Sequence, residues 1–302
     1  MDIRRATPDD YDAVVEMVSD IWEDRGGDYL PRVYHDWLED EPGRGRKTFL
    51  AEIDGDAAGI VQGVVLSEDE AWFQSMRVAT DYRRQGVAHR LNEASFQWAR
   101  EQGATVGRAM IFSWNTASFG MARSSGYEPG VEFRFAQPGP DANASLPEGY
   151  AVSSDPAAAW RYWTHSDARD HLQGLGFALE ETWAMRELTR ADFETFADET
   201  AVFAVEGDDG IAGAAYRTRT RERTNDDGEE ELWAEYGVGA WDDVEAARAL
   251  FAGIARDAAA LEADRTRVVI PETSRYVTDA AYAGAGLSDE PDFVLEIDLT
   301  AL

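Results

Sequence analysis

The stretch from Gln137 to Gly149, QPGPDANASLPEG, cuts the chain in two. Proline, glycine, asparagine, serine and aspartate follow one another there without apolar periodicity, so neither a helix nor a strand can run through it. Its centre, 139–148, is the natural linker between a first domain, 1–138, and a second, 149–302. Each side is long enough for its own core. Before the linker, DIRRAT reads as a strand and TPDDYDAVVEMVSDIWED as a helix. Thr7 can cap that helix, Pro8 suits its first position, and Val14, Met17, Val18 and Ile21 form its apolar stripe. A second helix, DYLPRVYHDWLED, is followed by strands within KTFLAEIDGDAAGIVQGVVLS and EAWFQSMRVAT. A long helix from Gly86 to about Glu101, the strand TVGRAMIFSW, a short helix TASFGMARSSG and the strand YEPGVEFRFA complete the half. The order is β-α-α-β-β-β-α-β-α-β.

The second half repeats this order loosely. GYAVSS reads as strand, PAAAWRYWTHS as helix, and a helical region follows over about 167–200. TAVFAVEGDDGIAGAAYRTRT and EEELWAEYGVGA are strands, DVEAARALFAGIARDAAAL a long helix, TRVVIPE a strand, Ser274 to about Gly284 a short helix and DFVLEIDL the last strand. The fold class expected is α/β in the α+β sense, with two copies of a mixed, mostly antiparallel central sheet flanked by helices.

Composition removes several functions. With no cysteine, disulfides, thiolate nucleophiles and cysteine-ligated metals are excluded, and His35, His89, His165 and His171 show no metal-ligand spacing. The formal net charge of −31 argues against a sequence-independent nucleic-acid footprint. Apolar runs are all broken by charge before membrane-spanning length, and the N-terminus does not read as a signal peptide, so a cytoplasmic location without membrane association is expected. Acidic residues number 59 against 28 basic ones, and Lys47 is the single lysine. That balance suits a halophilic chain in a very salty cytoplasm, where screening reaches down to ~3 Å at molar salt.

Against that background Met76–Ala94, MRVATDYRRQGVAHRLNEA, gathers Arg77, Arg83, Arg84 and Arg90. Arg83-Arg84-Gln85-Gly86-Val87-Ala88 lies between a strand and a long amphipathic helix. The first N–H groups of a helix lack internal partners, and its dipole is positive there. Gly86 lets backbone come close to a phosphate, Ala88 keeps the next contact small, and arginine suits bidentate phosphate contact.

This R/Q-x-x-G-x-G/A loop resembles the pyrophosphate loop of GNAT acetyltransferases, and Asn115 with Gly126-Tyr127 stands at the spacing of that superfamily's N-x-x-A-x-x-x-Y-x-x-x-G-F segment. The resemblance implies acetyl-CoA as cosubstrate and no metal. It implies that Met76 and Val78 offer backbone groups to the acetyl-pantetheine end and that the amides of Arg84, Gln85, Gly86, Val87 and Ala88, beside Arg83, hold the diphosphate, with Asn115 also on the cofactor side. RGGDYLPRVYHDWLEDEPGR and MRVATDYRRQGVAHRL further resemble the histidine N-acetyltransferase group, which implies an amino-acid α-amine as acceptor. Peptide or protein N-terminal acetylation, and a non-catalytic acyl-CoA sensor, are the other readings. A homodimer is left open.

The pattern leaves catalytic acid and base unassigned. The family's tyrosine position is Ala122, and Tyr127, five residues on, is a candidate for the role that reads better as a core aromatic at a strand start. Gln74 stands where relatives can carry glutamate, and glutamine cannot accept a proton at neutral pH. Glu68, Asp69 and Glu70 read as solvated turn carboxylates. On the acceptor side, Asp28, Tyr29, Tyr34, His35 and Arg77 are the candidates, with His35 as base or ligand. Alternatively, Tyr34, Trp37 and Leu38 form a buried helical stripe with His35 facing solvent. Arg217 and Arg219, on one face of a strand by simple alternation, could also pair with a substrate carboxylate. In the second half the matching junction reads YGVGAWDDVEAA, where Asp242 and Asp243 would repel a diphosphate. A degenerate GNAT-like domain without phosphate loop is expected there.

Overall fold

The computed structural model describes residues 1–22, 27–38, 45–225 and 228–301. The parts of the sequence reading that fall on 23–26 and 39–44 lie outside the described residues. The first half contains β1 (Asp2–Arg5), α1 (Tyr11–Val18), α2 (Leu30–Leu38), β2 (Arg46–Ile53), β3 (Asp56–Val65), β4 (Glu70–Val78), α3 (Val87–Glu101), β5 (Val106–Phe112), α4 (Thr116–Ser124) and β6 (Glu128–Gln137). The expected order is therefore found, with α1 shorter than its apolar pattern. Pro8–Asp10 forms a separate 3-10 turn, in which the Asp10 carboxylate accepts the Thr7 N–H at 2.8 Å.

The second half contains β7 (Ala151–Ser153), α5 (Pro156–Trp163), α6 (Asp167–His171), β8 (Leu175–Phe177), β9 (Met185–Glu187), α7 (Arg190–Glu199), β10 (Ala201–Gly207), β11 (Gly210–Thr224) and β12 (Glu230–Trp241). It continues with α8 (Val244–Ala260), β13 (Arg265–Pro271), α9 (Ser274–Tyr282), β14 (Gly286–Leu287) and β15 (Asp292–Asp298). The region read as helical over 167–200 is interrupted. Gln173 and Gly174 both take left-handed backbone, which ends α6, and β8 and β9 then pair as a short antiparallel hairpin.

Two compact units result, one of residues 1–129 with 294–302 and the other of residues 130–293. Their limits fall inside β6 and β15 rather than in the linker, because the chain's last strand lies beside β5 in the first unit's sheet while β6 pairs with β13 in the second.

In the first unit, β1 to β4 are successive antiparallel neighbours and β5 runs parallel to β4. Alternation along β2 and β3 builds two cores. Leu50 and Ile60 pack with Val14, Met17, Val18, Leu30 and Tyr34 of α1 and α2. Phe49, Ala51 and Val61 pack with Val87 and Leu91 of α3. A sheet covered on both faces needs apolar residues at consecutive positions, which is why TFLA of β2 is buried throughout. The second unit orders its strands β7, β10, β11, β12, β13, β6. Its long helix α8 is alanine-rich and buries ten residues, with Gly253 allowing Val152 to approach closely. Among the described residues no helix is long and apolar enough to cross a membrane.

Candidate active site

Three features of the first unit converge at the end of β4. The first is the start of α3. Gly86 is its N-cap, with φ of +83°, and no side chain caps the helix among the described residues. A Cβ added at Gly86 would meet nothing within 4 Å, so the glycine serves backbone conformation and open approach rather than packing. Arg84 also has positive φ, +61°, which is costly for a non-glycine residue and fixes the loop's amide directions. Gln85 donates to the Asp81 carbonyl at 2.9 Å and Arg83 to the Val78 carbonyl at 3.4 Å, which ties the loop to its own base. Arg83, Arg84 and Gly86 are exposed. Arg90 pairs with Glu93 at 3.2 Å. The helix start thus has free-standing amide donors, a favourable dipole and two arginines, which are the requirements for a phosphate cradle.

The second feature is a split in the sheet. The β4–β5 ladder holds only from Glu70–Val106 to Trp72–Arg108, although both strands run several residues further. A bulge accompanies the split, since the β3–β4 register shifts between Ile60–Arg77 and Gln62–Gln74, and Ser75 sits at φ of +56°. Met76 and Val78 lie on the separated length of β4. An extended arm can add to such an edge by backbone hydrogen bonds.

The third feature is a buried polar cluster on the face of β4 that carries Arg77. Asp28 accepts the Leu30 N–H at 2.9 Å with one oxygen and Arg77 Nε at 2.5 Å with the other, and both side chains are buried. The Arg77 guanidinium lies 4.0 Å from the Trp22 ring centroid and 5.6 Å from that of Tyr29. Its Nη1 donates to the Met76 carbonyl at 3.2 Å, whereas its Nη2 is buried without a hydrogen-bond partner among the described residues. The Tyr29 hydroxyl meets Ser75 Oγ. Trp22 packs edge-on against Trp114 at 5.5 Å and Phe112 at 6.3 Å, at the end of β5.

Behind this cluster is a chain of amides. Gln74 Nε2 donates to Gln62 Oε1 at 2.7 Å, and the fully buried Gln62 donates to Thr48 Oγ1 at 3.1 Å and to the Trp37 carbonyl at 3.4 Å.

A capless glycine-led helix start beside a split parallel strand pair is an arrangement for a diphosphate with an extended arm. Residues 11–127 match the model of the acetyltransferase (GNAT) family. Over those residues the chain is similar to GNAT acetyltransferases, which indicates an acyltransferase of a kind that uses acetyl-CoA. A GCN5-related N-acetyltransferase from Sphaerobacter thermophilus superposes with a TM-score of 0.64 at 14% identity, over 99% of this chain and 95% of that one. A tandem GNAT protein from the clavulanic acid biosynthesis pathway does so with a TM-score of 0.58 at 12% identity, over 99% and 98%. These likenesses are of fold, and they extend over both halves of the chain. Among curated proteins no relative matches the sequence.

Within residues 11–127 the candidate residues separate. Asp28, Tyr29 and Arg77 come together as described. Tyr34 and His35 do not join them. Tyr34 is fully buried, donates to the Thr7 carbonyl at 2.7 Å, and has its pKa pushed up to about 12 by burial. His35 is exposed and stacks on Tyr11 at 4.7 Å. Tyr127 is buried against Phe96 with ring centroids 5.6 Å apart, and burial pushes its hydroxyl far above the usual range. Asn115 caps α4, accepting the Ser118 N–H at 3.2 Å, and Ala122 is buried on that helix. Glu70 is not a solvated turn carboxylate, since it is buried and pairs with Arg108. Trp22, Ser75, Gln62 and the Phe112–Trp114 pair were not singled out from the sequence. The one available signal was aromatic density at element ends, in SDIW and IFSWN.

The second unit differs at the matching helix start. Asp243 caps α8 by accepting the Ala246 N–H at 2.8 Å, and Asp242 accepts the Tyr162 hydroxyl at 2.8 Å. Gly237 is a packing glycine, since a Cβ there would stand 2.1 Å from the Tyr216 ring. Arg217 and Arg219 do not share a face, because the β11–β12 register shifts between them. Arg217 pairs with Asp257 of α8 at 2.9 Å, while Arg219 donates to Thr182 Oγ1 at 2.8 Å.

Proposed function

We propose that the chain moves acetyl from acetyl-CoA to a small primary amine, the α-amine of an amino acid such as histidine. The buried, unpaired Nη2 of Arg77 carries this reading. Its guanidinium is held by Asp28 and Trp22 and lies beside the split in the sheet. A buried donor left unmade costs about 1–3 kcal/mol, and an amino-acid carboxylate would satisfy it. Such a carboxylate would place the neighbouring amine toward the acyl end at Met76 and Val78.

Acetyl-CoA supplies an activated thioester whose thiolate leaves without a dedicated acid. The amides from Arg84 to Ala88, with Arg83 and Arg84, would hold its diphosphate. The separated edge of β4 would pair with its arm, and Asn115 lies on the cofactor side. A backbone N–H of β4 would stabilise charge developing on the acyl oxygen. Gln74 accepts no proton, so the amine is deprotonated through water to solvent or by a group still unassigned. The first domain, 1–138, would perform the transfer. The second, 149–302, would be a GNAT-like domain without a phosphate loop, consistent with Asp243 at the start of α8.

The test is release of free thiol from acetyl-CoA with amino acids, their decarboxylated amines, peptides and polyamines. Turnover of histidine about 10- to 150-fold above histamine is expected, since a charged hydrogen bond is worth about 1.5–3 kcal/mol. Equal turnover would remove the carboxylate reading, and preference for peptides would reassign the acceptor.

A further inference from the structure

The second unit has a charged face that acetyl transfer does not use. β11, β12 and β13 are neighbours, and their register opposes Arg219 to Glu235, Arg221 to Trp233 and Arg223 to Glu231. It then opposes Trp233 to Arg265 and Glu235 to Arg267. Cross-strand partners and alternate residues share a side, so one face presents Arg219, Arg221, Arg223, Arg265 and Arg267 against Glu231 and Glu235. A local positive excess of this kind is unexpected in a chain of net charge −31.

The two glutamates offset it only in part. Glu231 is shared between Arg265 at 3.5 Å and Trp233 Nε1 at 3.2 Å. Glu235 is buried and lies 2.8 Å from Arg267 Nη2, off the direction of a hydrogen bond. Arg267 is only 2% exposed, and its Nε has no hydrogen-bond partner among the described residues. Its guanidinium lies 3.9 Å from the Trp183 ring centroid and 4.9 Å from that of Phe135. Arg221 and Arg223 are half-buried, and neither makes a hydrogen bond or ion pair with a described residue. Arg223 only covers the Trp233 ring at 4.8 Å. The arginines also weaken one another. Burial, then repulsion from Arg221, holds Arg223 below its ordinary range, and burial, opposed by Glu235 and aided by Arg223 and Arg221, lowers Arg267 to about 10.

We infer that this face of the second unit binds a small multivalent anion, carrying carboxylate or phosphate groups, between Arg267 and the Arg221–Arg223 pair. Alternate residues of a strand stand about 7 Å apart and next-but-one strands about 10 Å. One anionic group therefore cannot satisfy both ends, while a molecule with two or three can. Planar guanidinium forks favour oxygens in bidentate geometry, and Trp183 and Trp233 supply apolar walls for the connecting carbons.

The test is isothermal titration of the full chain with sodium citrate and with pyrophosphate, against sodium chloride at matched ionic strength. Saturable one-to-one binding of citrate or pyrophosphate is expected, weakened at least tenfold in the R221Q/R223Q double variant. Binding of citrate alone would mark a carboxylate ligand and of pyrophosphate alone a phosphate ligand. These two arginines make no polar contact with described residues, so circular dichroism should show the double variant folded. Arg267→Gln is the second variant, expected to lose binding as well. Absence of saturable binding of either anion, or binding that persists in R221Q/R223Q, overturns the inference.

Discussion

Asp28 and Arg77, 49 positions apart in the chain, meet through a single 2.5 Å contact that joins the start of α2 to the bulged end of β4. Both side chains are buried, so neither charge can lose its partner cheaply. Breaking a buried pair from one side costs about 3–5 kcal/mol. Asp28→Ala is expected to destabilise the fold by that order, measured by urea unfolding. The D28A/R77A double variant should cost less than the sum of the single ones. Strict additivity in the cycle would mean that the pair is not coupled.

Gly86 separates two effects in the same loop. Gly86→Ala meets no clash but must hold φ of +83°, so a loss of about 1 kcal/mol in stability is expected, with coenzyme A binding weakened only modestly. Gly86→Asp adds charge at the helix start and should abolish coenzyme A binding in a titration. Coenzyme A retained at wild-type affinity by Gly86→Asp would refute the assignment of the phosphate loop.

Much of this was legible in the sequence because it rests on local rules. Element order followed from apolar periodicity, and the α3 junction from a glycine between strand and helix. The difference between the halves followed from Asp243, a residue that can cap a helix and repel a phosphate with the same carboxylate. What stayed hidden depends on tertiary partners. No local pattern marks Ser75 as a bulge or places the Arg77 guanidinium over Trp22. The exchange of end strands between the units leaves no local trace, because β6 and β15 look like ordinary strands whichever sheet receives them. Simple alternation placed Arg217 and Arg219 together, and a register shift set them on opposite sides.

Asp292 gives a pH signature in the second unit. Burial raises its carboxyl to about 7, with Arg267 opposing. The folded state therefore keeps a proton that the unfolded chain releases near pH 4. Its stability contribution is complete below that pH and declines as pH rises toward 7, by an upper limit of about 4 kcal/mol. Asp292→Asn should flatten this part of the stability profile, as measured by unfolding at a series of pH values. An unchanged slope between pH 4 and 7 would show that Asp292 titrates normally.

The Gln62–Gln74 pair predicts how the site tolerates a carboxylate. Gln74 donates to Gln62 Oε1, and Gln62 is held in that orientation by Thr48 and the Trp37 carbonyl. Gln74→Glu would set an acceptor against an acceptor. It should cost about 1–3 kcal/mol in stability unless Gln62 turns over and gives up its own bonds. A glutamate held protonated would restore the donor, so the loss should grow as pH rises from 5 to 8. Gln62→Leu removes the opposing oxygen and is expected to relieve part of the cost in the double variant. The measurement is thermal unfolding of the four proteins across that pH range. A Gln74→Glu chain as stable as wild type at pH 8 would show that the amide chain does not fix the orientation of Gln74.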